Sequence, residues 1–263
     1  MNLLPATIKG LILDMDGVLW RGDAPIGDLA ATFRRIAERG LQVVFATNNS
    51  IRTPQQYVEH LRGFGVACEP SQVITSSLAV ADLLLRRFPA GTPVYAVGET
   101  GLKQGLREKG FVILEAAEAE KAQAVVMGID REVNFQKLAE ATLLVRRGIP
   151  FYASNPDKTF PTPRGEIPGA GSWYSIVVTA SNVEPIVAGK PGPAMTELAL
   201  ARLGLARENT LVVGDRLETD IAAGQAVGCP CALVLSGVST REQAQAWSPK
   251  IEMIVPDLAT LVA

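Results

Sequence analysis

The chain has 263 residues, more than one average domain and fewer than two comfortable ones, so a core domain carrying an insertion fits its length. Lys plus Arg number 25 against 27 Asp plus Glu, and neither sign forms a block, which argues against a partner held through phosphate neutralisation, nucleic acid above all. With 48% hydrophobic residues and a mean hydropathy of +0.19, the sequence can fill a core, yet no window approaches the roughly 18 apolar residues of a membrane span.

The start lacks a basic stretch ahead of a long apolar segment, so neither secretion nor a membrane anchor is indicated and a cytoplasmic location is expected. Cys68, Cys229 and Cys231 are odd in number and have no CxxC spacing, and they read as reduced, buried, small apolar residues. The single histidine, His60, lies on a helical stretch away from the acidic motifs. That makes a Ser-His-Asp triad or a multi-histidine zinc site a poor fit.

In chain order, the first informative stretch is Leu11-Ile12-Leu13-Asp14-Met15-Asp16-Gly17-Val18, an apolar strand running into two carboxylates and a glycine. In extended backbone, residues two apart face the same side, so Asp14 and Asp16 start out aimed at one point, and Gly17 lets the chain turn away. Two like charges that close call for a cation between them; the plain alternative is a core strand ended by an Asp-Gly turn. Helical spacing follows over 29–39, a β-branched strand over 41–46 ending in Thr47-Asn48-Asn49-Ser50, and a helix from about Thr53 with Pro54 suited to its first turn. Strand, helix, strand, helix predicts parallel strands in a doubly wound sheet with ligands at their carboxyl ends, where Asp14 and Thr47 would both sit.

Residues 73–76 read as a third strand and 78–87 as a helix leaving the sheet. A second αβ series then has strands at 94–97, 111–114, 124–127 and 150–153, with helices at 101–109 and 135–147. A loop over 155–165 and Gly169-Ala170-Gly171, read as a hinge back to the core, lead into a helix over 172–180. The last third returns to the first rhythm. A strand-like run at 186–188 precedes Gly189-Lys190-Pro191, a helix covers 194–203, a strand 210–213 ends in Gly214-Asp215, and Asp220 opens a helix over 221–227. A strand over 231–235 and a short helix over 241–247 close the series.

Asp14 to Thr47 and Lys190 to Asp215 are each about one strand–helix unit long, whereas Thr47 to Lys190 is several. The sequence therefore divides into a core over 1–78, an inserted α/β domain over 79–182 and the rest of the core over 183–263. Each polar cluster has a bland reading. Lys190 fits a solvated turn, Thr47-Asn48-Asn49 a helix cap, and Asp220 a charge favouring a helix N-terminus.

Taken in order, Asp14-x-Asp16-Gly17, Thr47-Asn48-Asn49, Lys190-Pro191 and Gly214-Asp215 with Asp220 resemble the four motifs of the haloacid dehalogenase (HAD) superfamily of phosphatases. The place of the insertion is similar to the subclass IIA proteins with a large C2 cap. Ser-Asn-Pro-Asp at 154–157 and Pro-Gly-Ala-Gly-Ser at 168–172 resemble the NagD-like and 4-nitrophenylphosphatase branch.

The resemblance implies a Rossmann-like HAD core with a C2-type cap, hydrolysing small phosphomonoesters: 4-nitrophenyl phosphate, nucleotide or sugar phosphates, phosphoglycolate. It makes Asp14 the nucleophile of an aspartyl-phosphate and Asp16 the acid/base. Asp14, the main-chain carbonyl of Asp16 and Asp215 become ligands of Mg2+. Thr47, Asn48 and Lys190 would hold the phosphoryl group, with Gly17, Asn49 and Asp220 in support; Asp220 would orient Lys190 or the metal's waters.

Asn155 and Asp157 are candidates for a specificity loop. Lys158, Thr159 and Phe160 stand where pyridoxal-phosphate phosphatases of the subgroup carry a histidine, which weakens that substrate. The partner implied is a small phosphorylated metabolite, with no nucleic acid or membrane, and caps of this type often form homodimers. Two alternatives stay open: a phosphotransferase or phosphomutase, and a phosphate-binding regulatory module without turnover.

Overall fold

The protein is described from a computed structural model over residues 3–162 and 164–263, so Pro163 of the expected loop lies outside it. By compactness the chain forms two units. One comprises Met1–Thr47, Pro54–Ile74 and Lys190–Ala263; the other comprises Asn48–Thr53 and Thr75–Gly189.

The first unit is built on a six-stranded sheet in the order Met253–Val255, Cys231–Val234, Thr210–Gly214, Gly10–Leu13, Gln42–Thr47, Val73–Thr75. Gly10–Leu13 runs parallel to both its neighbours and is buried along its whole length, which is why its sequence is apolar without alternation. Asp28 starts helix Leu29–Glu38 by accepting the Ala31 N–H at 2.9 Å, and Gly40, at φ +65°, follows its end. Helices Pro54–Gly63 and Ala194–Leu203 belong to the same unit. Leu11, Leu13, Phe45, Leu211 and Val213 join Tyr57 and Leu61 in one core cluster.

The second unit holds a five-stranded sheet, Ile186–Val187, Phe151–Ala153, Ala124–Met127, Pro93–Val97, Val112–Leu114, in which every neighbouring pair is parallel. Helices Ser76–Leu85, Thr100–Glu108, Phe135–Arg146 and Ala170–Ser181 complete it.

Several elements differ from the sequence reading. Ile186–Val187, expected in the first rhythm, pairs with Tyr152 and Ala153 instead, and helix Ser76–Leu85 packs on Thr100–Glu108. Apart from the short stretch Asn48–Thr53, the units therefore change at Thr75 and Lys190, where the sequence suggested 79 and 183. The expected loop over 155–165 contains half of an antiparallel hairpin, Thr159–Thr162 with Gly165–Pro168. Its prolines and exposed second strand hide the usual alternation.

Gly169 and Gly171 are not a hinge back to the first sheet. They begin helix Ala170–Ser181, and a Cβ on either would fall within 2.4 Å of the backbone oxygen of Asp157 or Pro156. Asp220 lies in a π-helical turn, Leu217–Ile221, ahead of a short helix, Ala222–Ala226. Cys229 and Cys231 are buried as expected, whereas Cys68 is only half-buried. Among the described residues no helix is long and apolar enough to cross a membrane.

Candidate active site

Three strands of the first sheet end side by side. Leu13 pairs with Phe45 on one side and Val213 on the other, so Asp14 emerges level with Ala46 and Gly214 at the carboxyl edge. The Asp14 N–H donates to the Val213 carbonyl at 2.9 Å, which extends the ladder to the first candidate residue. Parallel pairing of three apolar runs is thus what gathers Asp14, Thr47 and Asp215.

Lys190 supplies the positive charge. Its Nζ lies 2.5 Å from Asp14 Oδ1 and 2.6 Å from Asp220 Oδ1, and donates to the Ala46 carbonyl at 3.0 Å. Burial alone would pull its pKa down; Asp14 and Asp220 outweigh that and hold it above the ordinary lysine value. Lys190 is therefore a buried, fixed cation rather than a solvated turn residue.

Asp220 turns out to be its anchor. Oδ1 meets Lys190, while Oδ2 accepts the backbone N–H groups of Asp215 at 3.2 Å and Arg216 at 3.0 Å. With both oxygens committed inside the protein, Asp220 orients Lys190 and the chain beyond Gly214. Gly214 has to be glycine, because a Cβ there would sit 2.1 Å from the Cβ of Asp220.

Asp215 Oδ2 accepts the Val238 N–H at 2.8 Å, and its carbonyl accepts from Ser239 at 3.0 Å. Gly17, at φ +84°, and Gly237 make room for this carboxylate; a Cβ would fall 2.4 Å and 1.9 Å, respectively, from its Oδ2. Ser236 donates to the Gly17 carbonyl at 2.7 Å, and the Arg21 guanidinium donates to the Ser236 carbonyl, tying the turn after Asp16 to the loop after Cys231–Val234. Nothing in residue type or spacing marked Ser236, Gly237 and Val238, since two of them act through the backbone.

Asp14, Asp215 and Asp220 each place an oxygen within 4.8 Å of the others. Burial first, then the neighbouring carboxylates Asp220 and Asp215, push the Asp14 pKa well up despite Lys190. Burial, then Asp220, push Asp215 up to about 7. One ammonium among three clustered carboxylates leaves excess negative charge in a buried place, and the donors are all hard oxygens. That combination fits a divalent cation such as Mg2+, with Asp14 and Asp215 the carboxylates best placed to hold it.

The other expected residues are distributed as follows. Asp16 is exposed and its Oδ1 accepts the Trp20 Nε1–H at 2.8 Å. Thr47 is 3% exposed at the end of its strand. Asn48 follows it and belongs by compactness to the second unit. There its Nδ2 donates to Asp157 Oδ1 at 3.2 Å and its carbonyl accepts from Ser76. Asn49 Oδ1 accepts the Ile51 N–H, a local turn. Asn155 is buried and donates to Asp157 Oδ2 at 2.8 Å, so both candidate specificity residues are engaged in a network with Asn48. His60, expected apart from the acidic motifs, packs against Trp20 instead, with ring centroids 4.7 Å apart.

Residues 11–112 match the model of the haloacid dehalogenase-like hydrolases, and residues 187–261 match a second, HAD-hydrolase-like model. The chain belongs to the haloacid dehalogenase-like hydrolases. The 5'-nucleotidase YutF of Bacillus subtilis is 37% identical over 236 residues, 90% of each chain. NagD of Escherichia coli superposes with a TM-score of 0.88 at 33% identity, covering 96% of this chain and 97% of its own. The glycerol phosphate phosphatase of Mycobacterium tuberculosis, solved with magnesium, gives 0.91 at 33% identity over 98% of this chain and 78% of its own. This HAD-like hydrolase is thus a NagD-like phosphoric monoester hydrolase acting on small phosphate compounds, and the alternative of a binding module without turnover falls away.

Proposed function

We propose that the chain hydrolyses small phosphomonoesters with Mg2+ through an aspartyl-phosphate on Asp14. The observation that carries this reading is the set of half-buried Asp14 with buried Lys190, Asp220 and Asp215 at one edge of the sheet. Asp14 attacks phosphorus, the bond from phosphorus to the ester oxygen breaks, and Asp16 gives its proton to that leaving oxygen. Asp16 then takes a proton from water as the water attacks the phosphoryl group, which releases phosphate and restores Asp14.

Lys190 neutralises charge on Asp14 and on the phosphoryl oxygens, and the Thr47 hydroxyl with the Asn48 backbone N–H hold those oxygens. Most of the rate gain comes from charges fixed before the substrate arrives. Asp14, Asp215 and the Asp16 carbonyl are the residues that would hold Mg2+, which when bound supplies further neutralisation of the transferring group. The second unit serves as the C2-type cap. Relatives named as a 5'-nucleotidase and a glycerol phosphate phosphatase support compact phosphorylated metabolites as substrates.

A phosphate-release screen over nucleoside monophosphates, glycerol phosphate, sugar phosphates and phosphoglycolate, with wild type and Asp14→Asn, tests the reading. Release by wild type in Mg2+, abolished by chelator and by the substitution, is expected. Equal release by both proteins would refute the role of Asp14.

A further inference from the structure

Trp20 is 2% exposed, yet its indole N–H does not end in the core: it donates to Asp16 Oδ1 at 2.8 Å. The loop between them is tight. The Met15 carbonyl accepts from Leu19 at 2.8 Å, and the Trp20 carbonyl accepts from Gly17 at 2.7 Å, so the backbone brings residue 20 back beside residue 16. The indole is then held by one face of helix Pro54–Gly63 and the residue after it. The His60 ring meets it edge-on at 4.7 Å, Tyr57 lies stacked at 6.5 Å, and Phe64 is tilted at 6.0 Å. Tyr57 is itself 1% exposed, which fixes the platform.

An exposed carboxylate on a turn ordinarily samples several rotamers. Here one of its oxygens is pinned by a donor whose own ring cannot move. From this geometry we infer that Trp20 is a positioning residue for Asp16: by holding Oδ1, the indole sets the plane in which the carboxylate exchanges the proton with the leaving oxygen. The inference rests on the acid/base role of Asp16 proposed above. It also gives His60, Tyr57 and Phe64 a place in the site, as the support of the indole.

The chemistry supplies a sensitive readout. An alkoxide leaves poorly unless a proton reaches it as the bond from phosphorus breaks, whereas 4-nitrophenolate carries the electron pair away unaided. In the step that forms the aspartyl-phosphate, a misplaced acid therefore costs rate on an alkyl ester and little on the aryl ester. A merely structural defect lowers both.

The test compares kcat/KM, which reports formation of the aspartyl-phosphate and not its hydrolysis, on glycerol 1-phosphate and 4-nitrophenyl phosphate for wild type, Trp20→Phe and Asp16→Asn. A further protein carries 3-benzothienylalanine at position 20, which keeps the indole's shape and replaces N–H by sulfur. General acid catalysis contributes about 10²–10⁴-fold, so Asp16→Asn should lower the alkyl-to-aryl ratio of kcat/KM by at least about 10², and both Trp20 replacements should lower it by about tenfold. A ratio that stays at the wild-type value in both replacements, or equal losses on the two esters, overturns the role of Trp20. A flat ratio in Asp16→Asn would instead overturn the acid/base assignment itself, so the two failures are distinct.

Discussion

Replacing Lys190 by Met removes the ammonium while keeping most of the aliphatic stem. In the folded protein that ammonium serves Asp14 at 2.5 Å, Asp220 at 2.6 Å and the Ala46 carbonyl at 3.0 Å, and its side chain is only 6% exposed. Without it, Asp14, Asp215 and Asp220 stand within 4.8 Å of one another with their cation gone. Removing one partner of a buried ion pair costs about 3–5 kcal/mol. At roughly 2–4 °C per kcal/mol for a chain of this size, the metal-free variant should melt about 6–20 °C below wild type.

The deficit should be smaller at about pH 5 than at about pH 8, because Asp14 and Asp215, already raised by burial, take up protons at the lower pH and relieve the repulsion. Phosphate release should fall by about 10²–10³, the loss expected when one preorganised electrostatic contact to the transition state is removed. Thermal melts at both pH values, with and without Mg2+, and release assays measure these effects. A melting point within about 2 °C of wild type, the smallest shift 1 kcal/mol would produce, together with retained activity, would refute the buried-cation argument.

Three further outcomes follow from the same geometry. Gly17→Ala forces a Cβ to within 2.4 Å of Asp215 Oδ2 at a φ of +84°, so it should weaken Mg2+ binding at least about tenfold, measured by calorimetry; wild-type affinity would contradict the close packing. In the metal-free protein, burial and then Asp220 raise Asp215 to about 7, so the folded chain binds more protons than the unfolded one between the ordinary aspartate value and about 7. Stability from this group is present at low pH and lost as pH rises through about 7, whereas the stabilisation given by Mg2+ grows over the same rise; melts across that range check the sign. Calorimetric Mg2+ titrations in buffers of different ionisation heat should register proton release near pH 6 and little well above about pH 7.

The candidate site was legible in the sequence where a polar residue stands at the end of an apolar run. Asp14, Thr47 and Asp215 each stand at the end of a buried strand, and parallel register brings them to one edge of the sheet. Lys190 was legible only through the ordered set, since a lysine before a proline carries no geometry of its own. What stayed hidden depends on how loops fold back. Trp20 reaches Asp16 because two backbone hydrogen bonds close the turn, and the Val238 N–H that binds Asp215 belongs to every residue type but proline. Ile186–Val187 shows the same limit in the fold: a two-residue β-branched run announces a strand and says nothing about which sheet receives it.

A covalent intermediate at Asp14 is the centre of the proposed chemistry. Rapid acid quench of wild type turning over substrate in Mg2+, followed by peptide mass spectrometry, tests it most directly. A phosphoryl adduct on the peptide carrying Asp14, absent from Asp14→Asn, is the predicted result; an adduct on another residue, or full activity in Asp14→Asn, would contradict it.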